Sequence, residues 1–122
     1  MKKVFAFDFW NTVDTPERAD VRELIRALFV QGHEIHIVSA ISPGLPLDND
    51  ESYTKMLNDL AVPFTAIHRV DHSPALKVEV LLRIKADGFW DDLFDNYYAA
   101  LCAGVPSCYV GHNPLHELRS IK

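Results

Sequence analysis

Short apolar runs alternate along the chain with segments in which apolar residues recur every three or four positions. Apolar runs of this length, ended by polar or turn residues, are typical of strands buried in a parallel sheet. They predict five strands, at residues 4–7, 34–38, 64–68, 89–92 and 107–110. The first run leads directly into Asp8, which is therefore predicted at the carboxyl end of a strand.

The segments between these runs have the spacing of amphipathic helices. The first helix is predicted to begin near Pro16, to end at Gly32 and to bury Val21, Leu24, Ile25, Leu28 and Phe29. The second has an apolar face of Tyr53, Met56, Leu57 and Leu60. The third is predicted from about Pro74 to Asp87, stopped by Gly88, with inward-facing Val78, Leu81 and Leu82. A short fourth helix before Gly104 is marked by Tyr97, Ala100 and Leu101.

The alternation of strand and helix predicts a parallel sheet with helices on both faces. We therefore expect one domain over residues 1–122, with an α/β, three-layer Rossmann-like fold around a central five-stranded parallel sheet. No cap domain is expected, because no connection is long enough to hold one. The longest connection, from Ile41 to about Asp50, is the one local segment that could partly cover a site.

Composition narrows the class of protein. The chain has 122 residues, 48% hydrophobic and 24% charged, so it is expected to fold rather than remain disordered. Its net charge of −5 and its lack of a basic run argue against nucleic acid as a partner. No apolar stretch is long enough to span a membrane, and no signal peptide is expected. Cys102 and Cys108 form no metal motif, which predicts reduced thiols and a cytoplasmic location.

Polar side chains follow the predicted strands and open the third helix. They are Asp8, Ser39, Lys77, Asp91 and Asp92. Each alone has an ordinary explanation as a cap, turn or surface residue. The carboxyl ends of parallel strands, however, meet at the edge where open α/β sheets bind ligands, so these groups are expected to lie together.

Together these side chains have the chemistry of phosphoryl transfer. A carboxylate can attack phosphorus, and an ammonium can neutralise the transferring group. Carboxylates also suit Mg²⁺, which keeps several waters. A hydroxyl and neighbouring backbone amides can hold phosphate oxygens. The sequence therefore predicts a phosphoryl-transfer site at this edge of the sheet.

Four motifs in this order resemble the haloacid dehalogenase-like hydrolase superfamily, whose members are mostly Mg²⁺-dependent phosphatases. The family's first motif, an apolar strand followed by Asp-x-Asp-x-Thr, reads Asp8-Phe9-Trp10-Asn11-Thr12 here. The second is a strand ending in Ser39, and the third is Lys77 at the start of a later helix. The fourth is an acidic pair after a strand, here Asp91 and Asp92. The resemblance covers nearly the whole chain.

The resemblance implies a role for each matching residue. Asp8 would be the nucleophile, and Lys77 would assist catalysis. Mg²⁺ would be held by Asp8, the backbone carbonyl of Trp10, Asp91 and Asp92. Substrate contacts would come from Trp10, Thr12, Ser39 and Ala40. The expected partner is a small phosphorylated substrate or an accessible phosphate on a larger molecule, and a second copy of the chain could cover the open site.

Trp10 departs from the family pattern, because family phosphatases carry there the aspartate that protonates the leaving oxygen. A general acid typically contributes about 10²–10⁴-fold in rate. One interpretation is a phosphohydrolase whose leaving groups need little protonation, or which uses another donor such as Asp14. A second is a pseudoenzyme that binds metal, phosphate or a protein without turnover. A third, hydrolysis at carbon as in the family's dehalogenases, is disfavoured because those enzymes use no Mg²⁺ and have a helical cap.

Two other classes of site are also disfavoured. A phosphoreceiver domain carries its acidic pair at the first strand and its lysine after the fifth, whereas here Lys77 precedes the fourth strand. The closely spaced histidines His68 with His72, and His112 with His116, match no complete zinc motif. We therefore expect no zinc site.

Overall fold

A computed structural model of the chain describes residues 1–41 and 49–111. Five strands and four α-helices alternate in these ranges. The strands are β1 (Val4–Phe7), β2 (Glu34–Ala40), β3 (Ala66–Val70), β4 (Gly88–Asp91) and β5 (Ser107–Tyr109). The helices are α1 (Ala19–Val30), α2 (Asp50–Asp59), α3 (Pro74–Arg83) and α4 (Phe94–Cys102), and a 3-10 turn, Pro16–Arg18, precedes α1.

All five strands are parallel, and their order across the sheet is β3-β2-β1-β4-β5. The predicted α/β, Rossmann-like fold with a five-stranded parallel sheet is confirmed. β1 is the central strand, and the chain extends to one side of it through β2 and β3 and to the other through β4 and β5. The carboxyl ends of β1 and β4 therefore form the topological switch point, where open sheets bind ligands.

The helices cover both faces of the sheet. On one face, the core around Phe7 includes residues of α1 and α2, among them Tyr53. On the other face, Leu81 of α3 and Ala100 of α4 belong to the core that contains Ala6. Ala6 and Phe7 lie in different cores because successive side chains of a strand point to opposite faces.

The buried face of α3 differs from the predicted one. Its buried residues are Lys77, Val80 and Leu81, whereas Leu82, which was predicted to face inward, is 53% exposed. Positions 77, 80 and 81 are three and four residues apart and share one side of a helix. Because Lys77 is directed into the protein, the helix is rotated so that Leu82 faces outward.

The buried face of α1 is narrower than predicted. Val21 and Ile25 are buried and Leu28 packs against the core, but Leu24 and Phe29 are 36% and 40% exposed. A helix that lies on a sheet contacts it along one stripe of positions i, i+4 and i+7. Leu24 and Phe29 flank that stripe on either side.

The end of α3 was also predicted wrongly. The helix ends at Arg83 rather than near Asp87, and Gly88 belongs to β4. Lys85 has a positive φ of 57° and turns the chain away from the helix axis. Asp87 already pairs with β1, since its carboxylate accepts the Val4 backbone N–H at 2.8 Å. The residues before Gly88 are therefore needed to bring β4 alongside β1.

Two predictions fall largely on residues that the structure does not describe, 42–48 and 112–122. They are the covering segment between Ile41 and Asp50 and the histidines His112 and His116. In the described ranges, the connections after β1 and after β3 contain no inserted domain. No helix in these ranges is long and apolar enough to cross a membrane.

Leu81 and Leu82 offer a matched test of the rotation of α3, because they are adjacent leucines of the same helix. Leu81 is fully buried and Leu82 is mostly exposed. Leu81→Ala is expected to lower the free energy of unfolding by about 2–5 kcal/mol through lost burial and a residual cavity. Leu82→Ala is expected to change it by about 0.5 kcal/mol or less. Urea unfolding measures both, and equal losses would contradict the observed rotation.

Candidate active site

The loop after β1 returns to the side chain from which it starts. The Phe9 carbonyl accepts hydrogen bonds from the backbone N–H groups of Thr12, at 3.2 Å, and Val13, at 2.9 Å. Asn11 has a φ of 61°, a left-handed conformation that asparagine tolerates better than most residues. This tight turn brings the Thr12 hydroxyl within hydrogen-bonding distance of Asp8, and it donates to Oδ2 at 3.1 Å.

Two charged side chains hold the loop in place. Asp14 Oδ1 accepts the Asn11 backbone N–H at 2.6 Å. Arg18 is buried, and its guanidinium donates to the carbonyl of Asn11, at 2.7 Å from Nε, and to the carbonyl of Gly111. Asp14 therefore serves the loop, and it does not line the cavity described below.

Lys77 reaches the sheet edge from the start of α3, where Ser73 caps the helix by accepting the Leu76 N–H. Its Nζ donates to Asp8 Oδ1 at 2.6 Å and to Asp91 Oδ2 at 2.9 Å. The two acceptors lie side by side because β1 and β4 are adjacent and parallel, so that Asp8 and Asp91 come at the same ends of the two strands. Asp8, Lys77 and Asp91 are 5%, 2% and 0% exposed, so this ion-pair network is buried.

Asp92 completes a group of three buried carboxylates. Asp8, Asp91 and Asp92 each offer an oxygen, and these oxygens lie within 4.8 Å of one another. Were all three carboxylates ionised, they would leave a buried excess of two negative charges over the Lys77 ammonium (3 − 1). Buried charge of this kind is costly unless protons or a cation compensate for it.

The residues present fit a hard divalent cation. Such ions take carboxylate and carbonyl oxygens as ligands. The three carboxylates supply oxygen ligands of this kind, and a divalent cation would supply the positive charge that balances them. In the part of the chain that is described, the Trp10 carbonyl accepts no hydrogen bond and is free to be a further ligand. Asp8, Trp10, Asp91 and Asp92 are therefore the residues that would hold such an ion.

The electrostatics of the site reflect burial and like charge. Burial raises the pKa of Asp8 well above its ordinary value, and Asp91 and Asp92 raise it further against the opposing effect of Lys77. Burial likewise raises the pKa of Asp91, again opposed by Lys77. For Lys77, burial lowers the pKa, but Asp8 and Asp91 outweigh burial and the pKa is raised. The lysine therefore stays charged between the carboxylates.

A chain of hydrogen bonds connects Trp10 to Ser39 through Tyr53. The Trp10 indole Nε1–H donates to the Tyr53 hydroxyl at 3.1 Å, and that hydroxyl lies 3.0 Å from Ser39 Oγ. The Phe9 ring packs edge-on against both aromatic neighbours. Ser39 is fully buried, it is not among the described residues that line the cavity, and its hydroxyl contacts that of Tyr53.

A cavity of about 360 Å³ opens at the carboxyl ends of β1 and β4. Five of the residues predicted for the site line it: Asp8, Trp10, Ala40, Lys77 and Asp92. The other three, Thr12, Ser39 and Asp91, are buried behind its wall. The structure thus brings the predicted charged groups together, and it places the Ser39 hydroxyl within hydrogen-bonding distance of Tyr53.

Further residues of the cavity wall were missed by sequence reasoning, among them Asn11, His72, Asp95 and Asn96. Asn96 is 6% exposed and follows Asp92 by four positions, a spacing that could have indicated it. His72 lies in the turn before the Ser73 cap. An exposed histidine in a turn carries no comparable signal, and Tyr53 was recognised only as a core residue of α2.

The chain was also compared with known proteins. No model of a known protein family matches it. No curated protein matches it either. The functional interpretation therefore depends on the geometry and chemistry of the site itself.

Asp92→Asn tests the candidate metal site without any assay of activity. A divalent cation at 100 times its Kd stabilises a protein by about 2.7 kcal/mol, and the variant is expected to lose most of this gain because an amide is a weaker ligand. Thermal unfolding with and without MgCl₂ measures the gain. Asp95→Asn is the matched control, since Asp95 lines the same cavity outside the carboxylate group. Equal loss in both variants would argue against the site.

Asp8 is expected to make the metal-free protein less stable as the pH rises. Its pKa is raised in the folded protein, so the folded state binds more protons than the unfolded state in the interval between the two values. The free energy of unfolding must then fall from about pH 4 upward. Asp8→Asn is expected to reduce this decline. Urea unfolding between pH 4 and 8 in EDTA measures it, and an unchanged slope would refute the role of Asp8.

Exposed Asp71 provides the control for that measurement, because Asp71→Asn removes one carboxylate outside the group of three. This variant is expected to retain the pH dependence of the unaltered chain.

Proposed function

We propose that the protein is a Mg²⁺-dependent phosphohydrolase of the haloacid dehalogenase-like superfamily that acts through an aspartyl-phosphate on Asp8. The observation that supports this most strongly is the buried Lys77 ammonium, which hydrogen-bonds to Asp8 and Asp91 beside a cavity. A carboxylate held in this way, next to further carboxylates, matches the needs of phosphoryl transfer. The order of the four motifs along the chain gives independent support.

Asp8 is the proposed nucleophile, and its carboxylate is held by two donors. Lys77 binds Oδ1 and Thr12 binds Oδ2, so the side chain is oriented before substrate arrives. One Asp8 oxygen forms a bond to phosphorus while the bond to the leaving oxygen breaks. Water then attacks the phosphorus, inorganic phosphate leaves, and the Asp8 carboxylate is restored.

Lys77 and a bound metal would both stabilise the negative charge of the transferring phosphoryl group. The ammonium neutralises the carboxylate and the transferring phosphoryl group. When bound, Mg²⁺ supplies Lewis-acid stabilisation of the phosphoryl oxygens. The residues proposed to hold it are Asp8, Asp91, Asp92 and the Trp10 carbonyl. Ala40, on the cavity wall, is proposed to contact the phosphate.

Trp10 restricts the substrates that the reaction can use. Its only side-chain N–H, on the indole, donates to the Tyr53 hydroxyl. An indole does not act as an acid near neutral pH. Substrates with good leaving groups, such as acyl phosphates and phosphoanhydrides, are therefore favoured. They are proposed to be small molecules or accessible phosphates on larger ones, because the described connections insert no domain over the cavity.

The proposal includes a cellular location. Cys102 and Cys108 are both exposed and free. Free thiols suit a reducing compartment, so the cytoplasm is the proposed location. Coverage of the cavity by a second copy of the chain stays a prediction.

A second candidate function is binding of metal and phosphate without turnover. The observation that favours it is again Trp10, since its side chain lies on the cavity wall without a transferable proton. The two candidates predict the same metal site and differ only in the release of phosphate.

Phosphate release from acetyl phosphate and p-nitrophenyl phosphate, with Mg²⁺ or EDTA, separates these candidates. We expect Mg²⁺-dependent turnover that falls about 10⁴-fold or more in Asp8→Asn, because the nucleophile is lost. Asp59→Asn is the control, as Asp59 is exposed at the end of α2 and lies outside the cavity. Turnover unchanged in Asp8→Asn would refute the mechanism. Mg²⁺ binding without any turnover would favour the second candidate.

A further inference from the structure

His72 is a titratable side chain of the cavity that the reaction described above does not use. It lies in the connection between β3, which ends at Val70, and α3, which begins at Pro74. His72 lines the same cavity as Asp8 and Lys77. It is exposed, and it makes no hydrogen bond or ion pair with any other described residue. Its imidazole is therefore free to interact with a ligand.

Hydrolysis of an ordinary phosphate ester needs a proton at the leaving oxygen. Trp10 cannot supply it, since its N–H binds Tyr53. Asp14 cannot supply it either, because its carboxylate accepts the Asn11 N–H and Asp14 does not line the cavity. Asp95 lines the cavity, but exposed aspartates are anionic at neutral pH and have no proton to give.

Histidine is the side chain for which both protonation states are ordinarily populated near neutral pH. The other titratable groups that face this cavity are Asp8, Lys77, Asp92 and Asp95. Asp8, Lys77 and Asp92 belong to the buried group of ion pairs and carboxylates. In the proposed reaction, Asp8 is the nucleophile, Lys77 binds it, and Asp92 would hold the metal. Of the described residues around the cavity, His72 is thus the one suited to carry a proton to and from substrate.

We propose that His72 is the general acid that protonates the leaving oxygen, in place of the aspartate that is absent at position 10. This inference depends on the proposed phosphohydrolase function. It extends the substrates from acyl phosphates to phosphate esters of alcohols.

The proton transfers balance over the two steps. In the first, Asp8 forms a bond to phosphorus, the bond from phosphorus to the ester oxygen breaks, and the His72 imidazolium gives its proton to that oxygen. The alcohol leaves, and His72 is neutral. In the second, neutral His72 accepts a proton from the attacking water, the bond from phosphorus to Asp8 breaks, and phosphate departs. The imidazolium is then ready for another cycle.

The leaving group distinguishes an acid from a structural residue. Glycerol 2-phosphate has a poor alcohol leaving group, whereas the acetate of acetyl phosphate needs no proton. His72→Gln is expected to lower kcat on glycerol 2-phosphate by about 10²–10⁴-fold, the usual contribution of a general acid. It is expected to leave formation of the aspartyl-phosphate from acetyl phosphate unchanged, as measured by the acetate released in a single turnover.

His68→Gln is the matched control, because His68 lies on β3 outside the cavity and its imidazole binds His36 at 2.9 Å. This variant is expected to retain both activities. Circular dichroism and the unfolding midpoint of each variant show that it is folded, and His72→Ala provides a second substitution of the same position.

Three results would overturn the role of His72, and they differ from failure of the proposed function. Equal loss on both substrates would make His72 a positioning or structural residue. Unchanged turnover of glycerol 2-phosphate in both His72→Gln and His72→Ala would exclude His72 as the acid. Turnover of acetyl phosphate alone by the unaltered chain would show that no acid is present. No turnover of either substrate would instead refute the phosphohydrolase function itself.

Discussion

The buried ammonium of Lys77 is the interaction on which the site depends. It binds Asp8 on β1 and Asp91 on β4, so it ties α3 to the two central strands at their carboxyl ends. Removing one partner of a buried pair leaves an uncompensated charge, which typically costs about 3–5 kcal/mol. The orientation of α3 follows from this bond, because burying Lys77 also buries Val80 and Leu81 and turns Leu82 outward. The same contact thus organises both the charge of the site and the packing of a helix.

The buried charges of the candidate site carry a desolvation cost. A core of similar size filled with apolar side chains would avoid the desolvation of three carboxylates and one ammonium. The raised pKa values of Asp8 and Asp91 express this cost, since burial opposes their ionised forms. A divalent cation, with its two positive charges, would restore the charge balance. Residues whose pKa values are perturbed by burial and charge in this way commonly cluster at functional sites.

The β1 loop illustrates how neighbouring residues divide their tasks. Thr12 turns back to hold Asp8, whereas Asn11, fixed by Asp14 and Arg18, lies at the cavity. Trp10 points its indole to Tyr53 and leaves its carbonyl oxygen available. An aromatic residue at this position therefore offers no side-chain acid, but it leaves in place the backbone carbonyl that could bind a metal. His72, in the turn before α3, lines the same cavity as Trp10.

Much of this fold and part of the site could be predicted from the sequence by itself. The spacing of apolar residues determined the five strands and four helices, because period two and period 3.6 follow directly from backbone geometry. The order of strand and helix determined a parallel sheet, and Asp8, Lys77 and Asp91 could be assigned to one edge because parallel strands end together. Only the tertiary structure decided the rotation of α3, the engagement of Ser39 with Tyr53 and the presence of His72 at the cavity. Those features depend on which partner each side chain finds across elements distant in the chain, and periodicity along one element carries no information about that choice.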